Sequence, residues 1–277
     1  MKKILLAGTP EFAVPIFEEL IKNFDVVAIV SQPDRPSVRG RKIMPTPTKE
    51  LALKYNIRCF QPEKIVDIYD ELKSLNYDYL ITAAFGQFIP SKILDLANKL
   101  NLNIHGSLLP KYRGAAPIQY AVLNGDSETG ISVIEMVKQM DAGDVFVQKL
   151  IKIDENDTSK DVFEKLKKIA AENIVSWIND IDKYNRTAQD ENYVTFSPKL
   201  EKEAGEIKKD MTCNQALRII KAFNPNPSAY CFMDNKRVKV HFAQKEQLKN
   251  APTFDLSDGK LYLSDYSFEG KKRVILK

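Results

Sequence analysis

Ile4-Leu5-Leu6-Ala7-Gly8-Thr9-Pro10-Glu11 opens the chain, and Val26-Val27-Ala28-Ile29-Val30-Ser31 follows after one amphipathic stretch. Both are short β-rich apolar runs. Between them Phe12, Val14, Ile16, Phe17, Leu20 and Ile21 recur at helical spacing, so the opening reads as strand, helix, strand. Further apolar strands are expected at 57–60, 79–84, 100–104, 130–136 and 145–151. They alternate with helical stretches at 47–54, 62–75 and 118–123. Such alternation predicts a mostly parallel α/β sheet covered by helices, a Rossmann-like arrangement.

From Thr158, the positions Val162, Leu166, Ile169, Ala170, Ile174 and Trp177 keep helical spacing, which places Trp177 in the core. The stretch Phe196-Ser197-Pro198-Lys199-Leu200 and the charged residues up to Asp210 interrupt the period and read as a connector. The boundary is set near 205, giving domains 1–205 and 206–277. Beyond it a helix at 213–222 and β-rich runs at 229–233, 237–242, 260–263 and 273–276 predict a small β-barrel-like, OB-like domain.

The chain has 277 residues, of which 44% are hydrophobic. That is enough for a sizeable core, yet no apolar run approaches the roughly 18 residues that a membrane span requires. A membrane partner is therefore not expected, and the apolar stretch 4–7 is too short for a signal peptide. Cys59, Cys213 and Cys231 form no close-spaced pair, which suits a reducing cytoplasmic compartment. Two histidines and no CxxC argue against a zinc site, so no metal is expected.

Net charge is +4, unevenly placed. Residues 206–277 hold 14 Lys/Arg against 8 Asp/Glu, a net of +6, while the rest of the chain is slightly acidic. A basic excess in one region suits a polyanion, though a solvated lysine-rich face carries the same signature. A second basic feature is the long connection 33–49, with Arg35, Arg39, Arg41, Lys42 and Lys49 against Asp34 alone. Four prolines restrict it, and guanidinium groups suit phosphate contacts.

The stretch Leu102-Asn103-Ile104-His105-Gly106-Ser107-Leu108-Leu109-Pro110 holds the only histidine of the first 240 residues. Asn103 and His105 are two apart, so at the end of a strand their side chains leave one face. An amide and an imidazole facing one way can bind an oxyanion and move a proton. Other chemistries fit poorly. Gly8 stands alone where a dinucleotide fingerprint needs three glycines. Gly106-Ser107-Leu108 is not a nucleophile elbow.

This His105 block resembles the signature of the folate-dependent formyltransferases, and Met140-Asp141-Ala142-Gly143-Asp144 is similar to that family's Asp-x-Gly loop. The resemblance implies Asn103, His105 and Asp141 as catalytic residues and 10-formyltetrahydrofolate as formyl donor. In it, Asn103 and His105 hydrogen-bond the oxyanion of a tetrahedral intermediate, while Asp141 favours charged His105 and relays the amine proton. It also implies that Phe85, Gly86, Gln87, Phe88 and Ile89 flank the pterin and that Ser107, Leu108, Leu109 and Pro110 lie beside donor and acceptor.

The 33–49 connection resembles the loop of the branch that formylates methionine carried by initiator tRNA. Arg35, Arg39, Arg41 and Lys42 are its implied tRNA contacts. Asn224-Pro225-Asn226-Pro227 is similar to the Asn-Pro-x-Pro motif of the family's second domain. The expectation is a monomeric bacterial cytoplasmic enzyme of translation initiation. A formyltransferase acting on a sugar-nucleotide amine, or a non-catalytic RNA-binding protein on the same scaffold, are the alternatives.

Overall fold

A computed structural model describes residues 1–36 and 43–276. Arg39, Arg41 and Lys42 lie outside the described residues. The chain divides into two compact units, Met1–Arg113 with Gly130–Leu150 and Lys165–Thr195, and Gly114–Thr129 with Ile151–Glu164 and Phe196–Lys277.

The first unit is organised by a seven-stranded sheet. Its strands are β1 (Lys3–Gly8), β2 (Asp25–Val30), β3 (Cys59–Phe60), β4 (Tyr79–Ala83), β5 (Leu100–His105), β6 (Glu128–Glu135) and β7 (Val145–Lys152), in the order β7-β6-β5-β4-β1-β2-β3. The pairings β1 with β2 and β4, β2 with β3, and β4 with β5 are parallel. Strand β6 runs antiparallel to β5, with His105 opposite Ser132 and Asn103 opposite Ile134. The first five strands therefore end together at one carboxyl edge, where open α/β sheets place their ligands.

Helix α1 (Ala13–Asn23) buries Ala13, Ile16, Phe17 and Leu20 on one stripe. Each large apolar side chain taken out of water in this way contributes about 1.5–3 kcal/mol. Helix α2 (Pro47–Lys54) starts where Thr46 Oγ1 accepts from the Lys49 N–H at 3.3 Å and Pro47 supplies a preset φ. One face of the central strands packs Leu5, Ala7, Val30, Leu80, Leu72 and Ile93 into a single cluster. The helix α6 (Ser159–Asn179) begins with a reciprocal pair, Thr158 N–H to Asp161 at 2.9 Å and Asp161 N–H to Thr158 at 3.3 Å. Its Leu166, Ala170, Ile174 and Trp177 are buried, as the spacing predicts.

Some elements differ from the sequence reading. The stretch 62–75 is a 3₁₀ turn, Ile65–Ile68, followed by α3 (Tyr69–Ser74), rather than one helix. Asp67 folds back to the Lys64 N–H at 3.3 Å, and β-branched Ile65 and Val66 disfavour a regular first turn. The short helix α4 (Ser91–Leu94) is an addition. Helix α5 is Pro117–Asn124.

In the second unit, β8 (Ala229–Met233), β9 (Lys236–Gln244), β10 (Thr253–Leu256), β11 (Gly259–Phe268) and β12 (Val274–Ile275) form an antiparallel sheet in the order β8-β9-β11-β10, with β12 on β11. Strand β10 is absent from the sequence reading. Register shifts around Phe242 curl the sheet into an open half-barrel with β8 and β10 at its edges. The β8–β9 hairpin turns through Asp234 and Asn235, whose φ of 48° and 60° match the right-handed twist of the strands. Helix α7 (Cys213–Ala222), started by a Thr212/Gln215 capping box, buries Ala216, Ile219 and Ile220. The three cysteines are free, and burial pushes the Cys231 thiol up to about 12. No helix among the described residues is long and apolar enough to cross a membrane.

Candidate active site

Asn103 and His105 close strand β5, two residues apart, and Asp141 comes to them from the loop between β6 and β7. Asn103 Nδ2 donates to Asp141 Oδ1 at 3.2 Å. His105 Nδ1 stands 3.6 Å from Asp141 Oδ2. The imidazole is 5% exposed and the carboxylate 11%, so both are shielded from bulk water.

Each group is held from behind. Thr82, on the neighbouring strand at the register of Asn103, donates its hydroxyl to Asn103 Oδ1 at 2.8 Å, which turns the amide so that its NH₂ faces Asp141. His105 Nε2 lies 2.9 Å from the Tyr112 carbonyl. A carbonyl only accepts, so Nε2 carries a proton and donates it. Nδ1 is thereby left as the ring atom that faces the carboxylate and the reacting groups. Any hydrogen bond from His105 to an oxyanion must come from a protonated Nδ1, a restriction that the residue pattern alone does not reveal.

Asp141 has a φ of 53°, in the left-handed region that non-glycine residues rarely occupy. Two residues later a β-carbon on Gly143 would meet the Glu135 carbonyl oxygen at 1.9 Å. Only glycine permits that approach, and it lets the loop fold back so that Asp141 reaches Asn103.

The turn after His105 is pinned on several sides. Ser132 Oγ donates to the Ser107 carbonyl at 2.7 Å and accepts from the Leu109 N–H at 3.1 Å. Gln148 Nε2 donates to the Leu109 carbonyl at 2.8 Å. The Ser107 hydroxyl is buried and donates to the Lys111 carbonyl at 2.6 Å, so it serves the turn itself. Leu108 packs against Gly130, Leu109 is buried, and Pro110 follows in the same turn.

The segment from Phe85 to Ile89 leaves the carboxyl end of β4, beside β5. Phe85 and Ile89 are buried in the sheet cluster, so their side chains are core. Gln87 spends its amide on the Ile65 N–H at 2.9 Å and the Pro62 carbonyl at 3.0 Å. Gly86 has a φ of 78°, and Phe88 is 72% exposed. Backbone groups and the Phe88 ring are what this segment can offer a planar ligand. Arg35 is exposed and its strand pairs with Ile43–Met44, at the ends of the 37–42 stretch.

Residues 1–178 match the formyl transferase family model and residues 199–273 match that of the formyl transferase C-terminal domain. The chain belongs to the formyl transferase family. Among its relatives, it is 50% identical to the methionyl-tRNA formyltransferase of Mycoplasmopsis pulmonis, covering 99% of this chain and 96% of that one. It is 44% identical to the methionyl-tRNA formyltransferase of Lactobacillus gasseri over 87% of this chain and 78% of the relative.

Solved structures share the fold. A sugar 3N-formyl transferase, WlaRD, crystallised in the presence of dTDP and 5-N-formyl-THF, superposes with a TM-score of 0.72 at 21% identity, covering 98% of this chain and 99% of that one. The Helicobacter canadensis N-formyltransferase, in complex with folinic acid and dTDP-3-aminofucose, gives a TM-score of 0.69 at 19% identity over the whole of both chains.

Proposed function

We propose that this protein transfers the formyl group of 10-formyltetrahydrofolate to the α-amino group of methionine on initiator tRNA. The observation that carries the reading is the convergence of an amide, an imidazole and a carboxylate, Asn103, His105 and Asp141, at the carboxyl edge of the sheet. The sequence identity of 50% to a methionyl-tRNA formyltransferase favours tRNA over a sugar amine as acceptor, because the sugar enzyme of like fold is only 21% identical.

In this reaction the amine lone pair attacks the formyl carbon, a C–N bond forms and the carbonyl oxygen becomes an oxyanion. Asn103 Nδ2 and protonated His105 Nδ1 donate hydrogen bonds to it. The new ammonium loses a proton, which Asp141 accepts directly or through a water. The intermediate then collapses, the bond from carbon to folate N10 breaks, and N10 takes up a proton. The products are formylmethionyl-tRNA and tetrahydrofolate.

The segments 85–89 and 107–110 would bind the folate, with Phe88 and backbone groups contributing recognition. Arg35, Arg39, Arg41 and Lys42 would contact the tRNA acceptor arm. We assign formyl transfer to residues 1–205 and most of the hold on the tRNA body to residues 206–277, whose net charge is +6. The enzyme acts as a cytoplasmic monomer in this account. Transfer of labelled formyl to Met-tRNA, with a sugar-nucleotide amine as competing acceptor, tests it. Label on the sugar and none on the tRNA would overturn the choice of acceptor.

A further inference from the structure

Gln189 lies 48 residues beyond Asp141 in the chain, yet its side chain closes on the Asp141 loop. Its Nε2 donates to the carbonyls of Asp141 and Gly143, at 2.7 and 2.8 Å. Its Oε1 accepts from Arg113 Nε at 2.9 Å. Two carbonyls only accept and a guanidinium only donates, so the amide has a single orientation. Both amide protons are used.

Arg113 is 1% exposed and continues the chain of contacts, with Nη2 donating to Glu191 at 2.8 Å. The same segment also reaches the histidine side of the site. Thr195 Oγ1 accepts from the Tyr112 N–H at 2.9 Å, and the Tyr112 carbonyl is the partner of His105 Nε2. The segment 189–195 therefore braces both the loop that carries Asp141 and the turn whose Tyr112 carbonyl orients His105.

The Asp141 backbone is in the left-handed region, which non-glycine residues occupy rarely and aspartate more readily than most. Such a conformation persists where the surroundings fix it, and the contacts that do so here include the Gly143 approach and the paired donation from Gln189. We propose that Gln189, oriented by Arg113, is a positioning residue that holds the Asp141 loop so that its carboxylate faces Asn103 and His105. The inference rests on the reading of the site as a formyl-transfer centre.

The test measures kcat and KM for formyl transfer to Met-tRNA in the full-length parent, Gln189→Leu and Gln189→Glu, each also in an Asp141→Asn background. Glu is isosteric and keeps an acceptor for Arg113, but offers the two carbonyls no donor. Both variants are expected to lose about 10- to 100-fold in kcat, because displacement of a reacting group by about 1 Å has effects of that order. Both KM values should stay within about two-fold. With Asp141→Asn already present, replacing Gln189 should change kcat by less than about two-fold, since the two residues act as one unit.

A normal kcat in both Gln189 variants of an active parent overturns the inference. So does an equal loss in the two Asp141 backgrounds, which is the result of a merely structural role. A parent that formylates no Met-tRNA would instead overturn the proposed function.

Discussion

His105 Nδ1 faces Asp141 Oδ2 at 3.6 Å while the Tyr112 carbonyl occupies Nε2, so one ring nitrogen is reserved for orientation and the other for chemistry. On this arrangement His105→Ala should lower kcat at least about 100-fold, the order of loss when an oxyanion donor is removed, and Asp141→Asn, which removes the proton acceptor, should also lower it at least about 100-fold. Folate binding, followed by fluorescence or calorimetry, should change far less. The two losses should not multiply in the double variant. His105→Ala with turnover within a few-fold of the parent would remove the histidine from the mechanism.

Thr82 acts on the third member. Thr82 is 4% exposed, and its hydroxyl directs the Asn103 amide. Thr82→Val keeps the shape and deletes the donor, leaving the Asn103 carbonyl without that partner. Asn103 is half-buried, so the stability loss should lie at or below the roughly 1–3 kcal/mol of an unsatisfied buried acceptor, and kcat should fall as the amide reorients. Thermal melts and steady-state rates on one preparation check both. If stability falls and kcat does not, Asn103 does not depend on Thr82 for its orientation.

The Asp141 loop gives a steric prediction. Gly143→Ala places a methyl group 1.9 Å from the Glu135 carbonyl oxygen, so the loop must move. Overpacking of this kind costs about 1–3 kcal/mol, and the displacement should reduce kcat by about 100-fold. An alanine variant of parental activity would show that the loop tolerates a different path.

Asp34 fastens the chain on either side of 37–42. Its carboxylate accepts from Gln61 Nε2 at 2.6 Å and from the Thr46 N–H at 3.3 Å, and pairs with Lys49. Burial opposes its charge, but the Gln61 and Lys49 hydrogen bonds, the Lys49 charge and the Thr46 N–H outweigh burial and hold its carboxyl below 3.8. A lowered value means that the folded state favours the ionised form. The stabilisation is therefore complete above about 3.8 and is lost as pH falls through the lower folded value. Melting temperatures from pH 6 down to about 3 should fall less steeply in Asp34→Asn than in the parent. Parallel curves would show that Asp34 makes no net contribution.

Phosphate recognition is tested by salt. Arg41→Ala should raise the apparent KM for Met-tRNA with kcat little changed, and should reduce the log-log salt slope by about one for a lost contact. The exposed Lys236 and Lys239 on β9 are candidates for the same behaviour from the C-terminal sheet. Kinetics that are unchanged at several salt concentrations would make these basic groups ordinary solvated surface.

Much of the fold is legible because local signals agree with it. Thr46-Pro47 and Thr212 with Gln215 mark helix starts, and the helices run over 47–54 and 213–222 as read. The apolar runs mark the buried parallel strands. Strand β10 was hidden because Thr253 and Asp255 alternate with only two apolar residues, Phe254 and Leu256, too short a pattern to register. Helix α4 is only one turn long.

The site divides in the same way. Asn103 and His105 are legible as a pair from strand periodicity, whereas Asp141 enters only through resemblance to a family loop. Thr82, Tyr112 and Gln189 carry no local mark at all, because their roles arise from hydrogen bonds between segments far apart in sequence. The backbone conformation at Asp141 is equally silent, since nothing in Met140-Asp141-Ala142 specifies a positive φ.

The decisive measurement incubates the full-length protein with 10-formyltetrahydrofolate carrying a labelled formyl group and with Met-charged initiator tRNA, beside uncharged tRNA and free methionine. Label is expected on the methionine of the charged tRNA and in negligible amount on either control. Formylation of free methionine at a comparable rate, or no label on Met-tRNA from a protein that binds both substrates, would contradict it.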